Sequence, residues 1–139
     1  MERSRRALLD NDHEEFLQCF ALPVEIETFD GRRWLKTPEH VRVLFDSIRF
    51  HHRRTGVTDA VQHVVEAVFK DPATVAATHE TRLLNKNVLT QKPYPVFSLL
   101  IQGEQGWQIK SMTFAIEDQT DHNKALMSAG DKHETTYPS

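Results

Sequence analysis

This chain of 139 residues has one cysteine, five glycines, no surplus of basic residues and no long apolar run. Cys19 cannot form a disulfide within the chain, so we expect a reducing compartment. The net charge of -3 argues against a nucleic-acid partner, because phosphate contacts need basic surplus. No segment approaches the length of a membrane span, and the first residues lack the apolar core of a signal peptide. We therefore predict a cytoplasmic protein that binds neither membrane nor nucleic acid.

The scarcity of glycine also limits the chemistry that the sequence predicts. All five glycines stand in predicted turns, so no glycine-rich loop is available to bind phosphate. There is no nucleophile elbow, and no spaced set of cysteine and histidine marks a zinc site. We therefore predict no cofactor and no metal. Eight histidines remain as the main candidates for chemistry.

The length predicts one domain with a core of its own. Its main signal is one amphipathic helix followed by strands. Thr37 and Pro38 are typical of a helix start, and Gly56 of a helix end. Alternating apolar residues then predict four strands in close order: Asp59–Phe69, Thr74–Leu84, Tyr94–Gln102 and Trp107–Glu117. Helices followed by such a meander favour an α+β fold, in which a curled antiparallel sheet wraps around the N-terminal helices.

The two ends of the chain are less regular. Asp12 is predicted to cap a second short helix, and Asp30-Gly31 to form the turn of a hairpin. After Asp118 the sequence becomes polar. We therefore predict a domain over residues 1–118 and a mostly disordered tail over residues 119–139, in which His122 is solvated.

The last two predicted strands are apolar on both faces. Helices can cover only one of these faces, and no helix is predicted after them to cover the other. A second subunit is the simplest cover, so we predict a homodimer through these two strands. The apolar residues concerned are Phe97, Leu99, Ile101, Met112, Phe114 and Ile116.

The order of elements resembles a known superfamily. Asp12 opens the second helix, Trp34–Val41 leads into the long helix, and Gly106-Trp107-Gln108-Ile109 opens the last strand. In these features the chain is similar to the nuclear-transport-factor-two-like superfamily with its cystatin-like cone, and within it to the SnoaL-like group. The resemblance implies a cone with an internal pocket and a dimer on the outer face of the sheet. It also implies that the activity is open, because the superfamily contains isomerases, dehydratases, cyclases and non-catalytic binding domains.

Two functions follow from this resemblance. The first is a small-molecule-binding domain of unassigned activity, whose pocket takes a small apolar ligand. The alternative is a cofactor-free isomerase, dehydratase or cyclase that uses a pocket histidine as general base.

Three residues are the catalytic candidates. His63 and His79 share the apolar phase of adjacent predicted strands, so both are expected to point into the cone. Either could be the base, and Tyr94, at the predicted cone mouth, could donate to a developing oxyanion. The simpler interpretation is that each histidine is hydrogen-bonded in or beside the core.

Further residues are predicted to line the pocket or to face away from it. Trp34, Phe50 and Trp107 are the predicted ligand contacts, although tryptophans at such positions are more often part of the core. Glu66, Glu80 and Arg82 have the opposite phase from the two histidines. They form either an ion-pair ladder on an exposed face or a charged lining of the pocket.

Overall fold

The computed structural model describes residues 2–104, 106–116 and 120–132. Within these ranges the helices are α1 Glu2–Leu9, α2 His13–Gln18, α3 Pro38–Thr55 and α4 Thr120–Leu126. The strands are β1 Phe20–Thr28, β2 Gly31–Leu35, β3 Asp59–Asp71, β4 Thr74–Asn85, β5 Val88–Leu89, β6 Tyr94–Gly103, β7 Gly106–Phe114 and β8 Asp131–Lys132. The predicted α+β fold is confirmed, whereas the predicted end of the last strand at Glu117 lies outside the described residues.

The predicted helix caps are present. The Asp12 side chain accepts a hydrogen bond from the backbone N–H of Glu15 at 3.2 Å and so caps α2. The Thr37 hydroxyl accepts from the N–H of His40 at 3.2 Å, and Pro38 occupies the first turn of α3. Gly56 ends α3 in the left-handed conformation, with φ of 74°, which glycine adopts at little cost.

One curled and unclosed sheet forms the wall of the cone. Its strand order is β3-β4-β6-β7-β1-β2-β8, and β5 pairs with β4 beside this path. Neighbouring strands are antiparallel except β1 and β7, which run parallel. The sheet is therefore mixed, which corrects the prediction of a purely antiparallel sheet. The meander contributes only antiparallel pairs, and no local signal shows that β7 lies beside the early strand β1.

Helix α3 supplies the central part of the core. Val41, Leu44, Phe45 and Ile48 recur at helical spacing and are buried. The α1–α2 segment adds further buried aromatic and aliphatic groups, among them Phe16, which contacts Phe45 with a ring separation of 5.1 Å. The core therefore fills the concave side of the sheet. No helix in the described residues is long and apolar enough to cross a bilayer.

The C-terminal segment belongs to the folded domain. Helix α4 packs on α3, and β8 pairs with β2 through Trp34 and Asp131. Leu126 is buried, and the Asn123 side chain donates to the carbonyl of Ile116 at 3.2 Å. The prediction of a disordered tail is therefore wrong for residues 120–132, because a few apolar side chains in a polar stretch find partners on α3 and the sheet. Residues 133–139 lie outside the described residues.

A glycine permits the close approach of this segment to β2. Gly130 has a φ of 76°, and a Cβ added to it would lie 2.2 Å from the backbone oxygen of Trp34. Any other residue at this position would push β8 away from β2.

The burial of Leu126 generates a stability prediction. Leu126 is only 1% exposed, so Leu126→Ala should leave a cavity and lower the free energy of unfolding by about 2–4 kcal/mol. Urea denaturation measures the change. Lys124→Ala, on the exposed side of the same helix, should change it by less than about 0.5 kcal/mol. Equal effects of the two substitutions would contradict the docking of α4.

Candidate functional site

A cavity of about 70 Å³ lies between the helices and the concave face of the sheet. Most of its wall is apolar. The helical side includes Leu8, Phe16, Leu44, Ile48 and Leu126, and the sheet side includes Ala60, Leu83, Val96, Met112 and Phe114. Met112 and Phe114 thus face the cavity, and Ile116 is buried beyond the end of β7. These three residues, predicted as part of a dimer surface, face the interior instead.

One row of the sheet brings polar side chains to this cavity. Gln62 on β3 pairs with Thr81 on β4, and Thr81 pairs with Tyr94 on β6. All three side chains line the cavity. The neighbouring inward-facing row contains the apolar residues Ala60 and Leu83. We call Gln62, Thr81 and Tyr94 the polar row. The polar side chains that the sheet contributes to the cavity lining all belong to this row.

Two imidazoles face this row from the helical side. His52 lies one turn after Ile48 on α3, and His122 lies on α4. The His122 ring stacks on His51 with centroids 4.6 Å apart, and it meets the Tyr94 ring edge-on at 5.4 Å. His52, His122 and Tyr94 therefore bring polar side chains from α3, α4 and β6 to the cavity lining.

These polar groups are uncharged near neutral pH. Burial lowers the pKa of His122 to about 3 and that of His52 to about 4, and the neighbouring imidazoles act in the same direction. Burial raises the pKa of Tyr94 above its ordinary value. The Gln62 side-chain oxygen is buried and has no hydrogen-bond partner in the described part of the chain. The cavity thus offers neutral donors and acceptors rather than ions.

Charged side chains contribute little to the lining. Among the described residues, Arg5 is the lining residue with a permanent charge, and no carboxylate lines the cavity. Arg5 donates to the carbonyl of Ala60 at 2.6 Å and lies 3.6 Å from the carboxylate of Asp59. The positive charge of Arg5 therefore interacts with the carbonyl and carboxylate oxygens of these two β3 residues.

The predicted pair of His63 and His79 is not formed. A bulge between Val64 and Glu66 shifts the register of β3 against β4, so His63 stands opposite Glu80. His63 is therefore exposed on the outer face, while His79 is buried on the inner face. His79 does not line the cavity, and burial lowers its pKa. Neither histidine lines this cavity, so the prediction that both rings point into one pocket is wrong. Only Tyr94 of the three catalytic candidates is a lining residue.

The three predicted ligand contacts also lie elsewhere. Trp34 pairs with Glu25 on the face of β2 opposite the buried Leu35, because side chains alternate along a strand. Phe50 is 55% exposed on the outward side of α3. Trp107 lies near the turn between β6 and β7 and contacts Phe69 instead, with a ring separation of 6.1 Å. None of the three lines the cavity.

The charged residues Glu66, Glu80 and Arg82, which were considered as a possible pocket lining, face outward. Arg82 and Glu80 form an ion pair of 2.7 Å on the exposed face of β4, and Glu66 lies on the outer face of β3. Of the two interpretations, an exposed charged face is therefore correct and a charged lining of the pocket is wrong.

The predicted site residues do not include four polar residues that line the cavity: His52, Gln62, Thr81 and His122. His122 falls in the predicted polar tail, although His122 and Leu126 are four residues apart and thus share one face of a helix. That spacing, followed by buried Ala129, is a weak signal that could have indicated a docked helix. Within the described ranges, no group of three or more histidine, cysteine or acidic side chains could hold a metal ion.

The size of the cavity limits what it can hold. A volume of about 70 Å³ exceeds the ~10–15 Å³ that one water needs. It is smaller than the ~300–1,000 Å³ of pockets that take drug-sized ligands. A small ring or short-chain molecule is the largest guest that fits without displacing a wall residue such as Leu126.

Comparisons with known proteins identify the fold. No family model matches the chain, and no curated protein matches its sequence. Among solved structures it is similar to a domain of unknown function with a cystatin-like fold from Nostoc punctiforme, with TM-score 0.66, 15% identity, and 91% of this chain and 78% of that chain covered. It is also similar to an NTF-2-like protein of unknown function from Shewanella oneidensis, with TM-score 0.64, 8% identity, and coverage of 83% and 92% respectively.

A third similar structure is a ketosteroid isomerase-like protein from Erwinia carotovora atroseptica, with TM-score 0.59 and 15% identity. The match covers 82% of this chain and 88% of that chain. Together these likenesses show that the chain has the nuclear-transport-factor-two-like, cystatin-like cone fold, which confirms the predicted resemblance at the level of fold.

The buried imidazoles predict a pH dependence of stability. Their pKa values are lowered in the folded chain, so the unfolded chain binds more protons between about pH 4 and the ordinary histidine value of ~6.5. The free energy of unfolding should therefore fall as pH drops through this window. Each of these two histidines contributes at most about 1.4 kcal/mol per pH unit.

His122→Gln tests this contribution. Between pH 6 and pH 5, urea denaturation should show a loss of stability that is smaller by roughly 1 kcal/mol in the variant than in the unsubstituted protein. His63→Gln, on the outer face, is the matched control for removal of a histidine. Identical pH slopes for His122→Gln and the unsubstituted protein would show that His122 is not buried in its neutral form.

Proposed function

We propose that this chain is a ligand-binding domain whose cavity takes a compact, uncharged and mainly apolar molecule. The observation that carries the proposal is the lining itself: an apolar wall with one cluster of neutral polar groups at the polar row, His52 and His122. Ligand sites commonly combine an apolar surface with a few convergent polar groups. Desolvating a charged ligand here would be costly, because the lining supplies no free opposite charge.

A pair of size-matched neutral probes and a charged probe test this proposal. Cyclopentanone and methylenecyclopentane should shift the NMR signals of cavity residues such as Val96 and Leu126, whereas cyclopentanecarboxylate should not. Ala60→Leu adds a larger side chain to the cavity wall and should weaken binding of the neutral probes about tenfold, equivalent to about 1.4 kcal/mol.

Ala73→Leu is the matched control, because Ala73 lies in the exposed turn between β3 and β4. It should leave binding unchanged. The proposal fails if neither neutral probe perturbs the cavity signals, or if the carboxylate binds as well as the neutral probes do.

A cofactor-free isomerase, dehydratase or cyclase is the second candidate. Tyr94 and two imidazoles share one cavity, and one similar structure is a ketosteroid isomerase-like protein. The base would be His52 or His122 rather than the predicted His63 or His79. General bases work best with a pKa near the operating pH, and values of about 4 and 3 make both imidazoles weak bases. This is why binding is the favoured function.

Proton exchange separates the two candidates. An enzyme of this class would exchange the protons next to the carbonyl of cyclopentanone for deuterium in heavy water, and His52→Gln or His122→Gln would slow the exchange. Binding without exchange supports the favoured proposal. The absence of a cofactor and the cytoplasmic location stay predictions.

We propose, in addition, that two copies of the chain associate through the outer face of the sheet. This face carries the half-exposed Phe97 and Val68 beside Leu99, around a shallow groove of about 370 Å³. Glu66 and Lys70 border the same groove. A two-fold arrangement would let these opposite charges pair between subunits, as isologous contacts require.

Phe97→Glu tests this association. Phe97 is 46% exposed, and a glutamate there would place a charge inside the proposed interface at a cost of several kcal/mol. Light scattering should show a dimer for the unsubstituted protein and a monomer for the variant. Phe29→Glu is the matched control, because Phe29 is 66% exposed at the β1–β2 hairpin away from the groove. A monomeric unsubstituted protein, or equal dissociation by both substitutions, would contradict the proposal.

A further inference from the structure

His122 is held in one orientation by contacts on several sides. Its ring stacks on His51 and meets the edge of Tyr94, as described above. Its Nδ1 atom lies 3.3 Å from the side-chain nitrogen of Gln91. The residue is 2% exposed and lines the cavity. These contacts place Nδ1 beside Gln91, so the two nitrogen atoms of the ring have distinct environments.

The segment that carries Gln91 is itself anchored. Thr90 donates to the carbonyl of Leu83 from its backbone N–H at 2.9 Å and from its hydroxyl at 3.3 Å. The loop between β5 and β6 is thereby tied to β4 next to the polar row. On the other side, α4 is held by the bond from Asn123 to Ile116. Both partners of the contact between Gln91 and His122 thus have fixed backbones.

The roles of donor and acceptor in this contact depend on which imidazole nitrogen carries the proton. The nitrogen of a side-chain amide can donate a hydrogen bond but cannot accept one, so the orientation of the Gln91 amide assigns the role of acceptor to Nδ1 of His122. A neutral imidazole carries one proton, which must then lie on Nε2. His122 therefore has an N–H donor at Nε2, and no hydrogen bond occupies that atom within the described part of the chain.

We infer that Gln91 is a positioning residue that fixes His122 as a hydrogen-bond donor to the cavity, and that the site therefore selects neutral molecules with a carbonyl-type acceptor. This inference rests on the proposed binding function and narrows its ligand class. Tyr94 lines the same cavity with its ring edge-on to His122, and a phenol hydroxyl can also donate a hydrogen bond. Compact ketones, lactones and lactams carry such a carbonyl acceptor.

The tautomer of His122 is the first test, and it needs no ligand. Long-range proton–nitrogen NMR spectra of the full chain should show protonated Nε2 and unprotonated Nδ1 in His122. Gln91→Leu removes the donor to Nδ1, so both nitrogens should then show averaged signals. Gln102→Leu makes the same change on the exposed part of β6 and should leave the His122 signals as they are. Protonated Nδ1 in the unsubstituted protein overturns the inference.

Probe selectivity is the second test. Cyclopentanone should bind about three- to tenfold more tightly than methylenecyclopentane, which has the same shape but no acceptor, and Gln91→Leu should reduce this ratio towards one. If Gln91 has a purely structural role, Gln91→Leu should weaken the binding of both probes equally, and that result would overturn the inference. If the unsubstituted protein binds cyclopentanone and methylenecyclopentane with equal affinity, the inferred ligand class is wrong, but the proposed binding function is still supported. Failure of both probes to bind overturns the binding function together with the ligand class.

Discussion

The burial of one side of α3 against the concave sheet is the contact on which the rest of the molecule depends. Leu44 and Ile48 face Val96 and Met112 across the interior. Burying an aliphatic side chain of this size contributes about 1.5–3 kcal/mol, so these contacts determine where the helix lies along the cone. The cavity is the space that this packing leaves beside the C-terminal half of α3.

The same packing explains the electrostatic character of the cavity. His52 follows Ile48 by one helical turn, so it enters the apolar interior together with the core stripe. His122 enters from α4, and Tyr94 from β6. Little water reaches these groups, and burial therefore disfavours their charged forms. A site of this kind suits recognition through neutral hydrogen bonds more than proton abstraction.

The wrong predictions for the histidine pair and for the C-terminal segment have two separate physical causes. The first is the bulge at Val65, which turns His63 outward although it shares an apparent phase with His79. A single extra residue inverts every side chain on one side of it, and no composition signal marks its position. The second is the docking of α4. Its burial depends on contacts of His122 with His51 and Tyr94, which are distant in sequence.

Local sequence patterns were sufficient to predict the order of the main elements, the caps of α3 and the phase of its buried stripe. These features depend on residues within a few positions of one another, such as Thr37 with His40 and the helical spacing of Leu44 and Ile48. Only the tertiary structure decided which strand face lines the cavity, which histidines reach it and where the C-terminal segment packs. Those outcomes depend on strand register and on small differences in burial between distant segments, and such differences exist only once the sheet has curled around the helices.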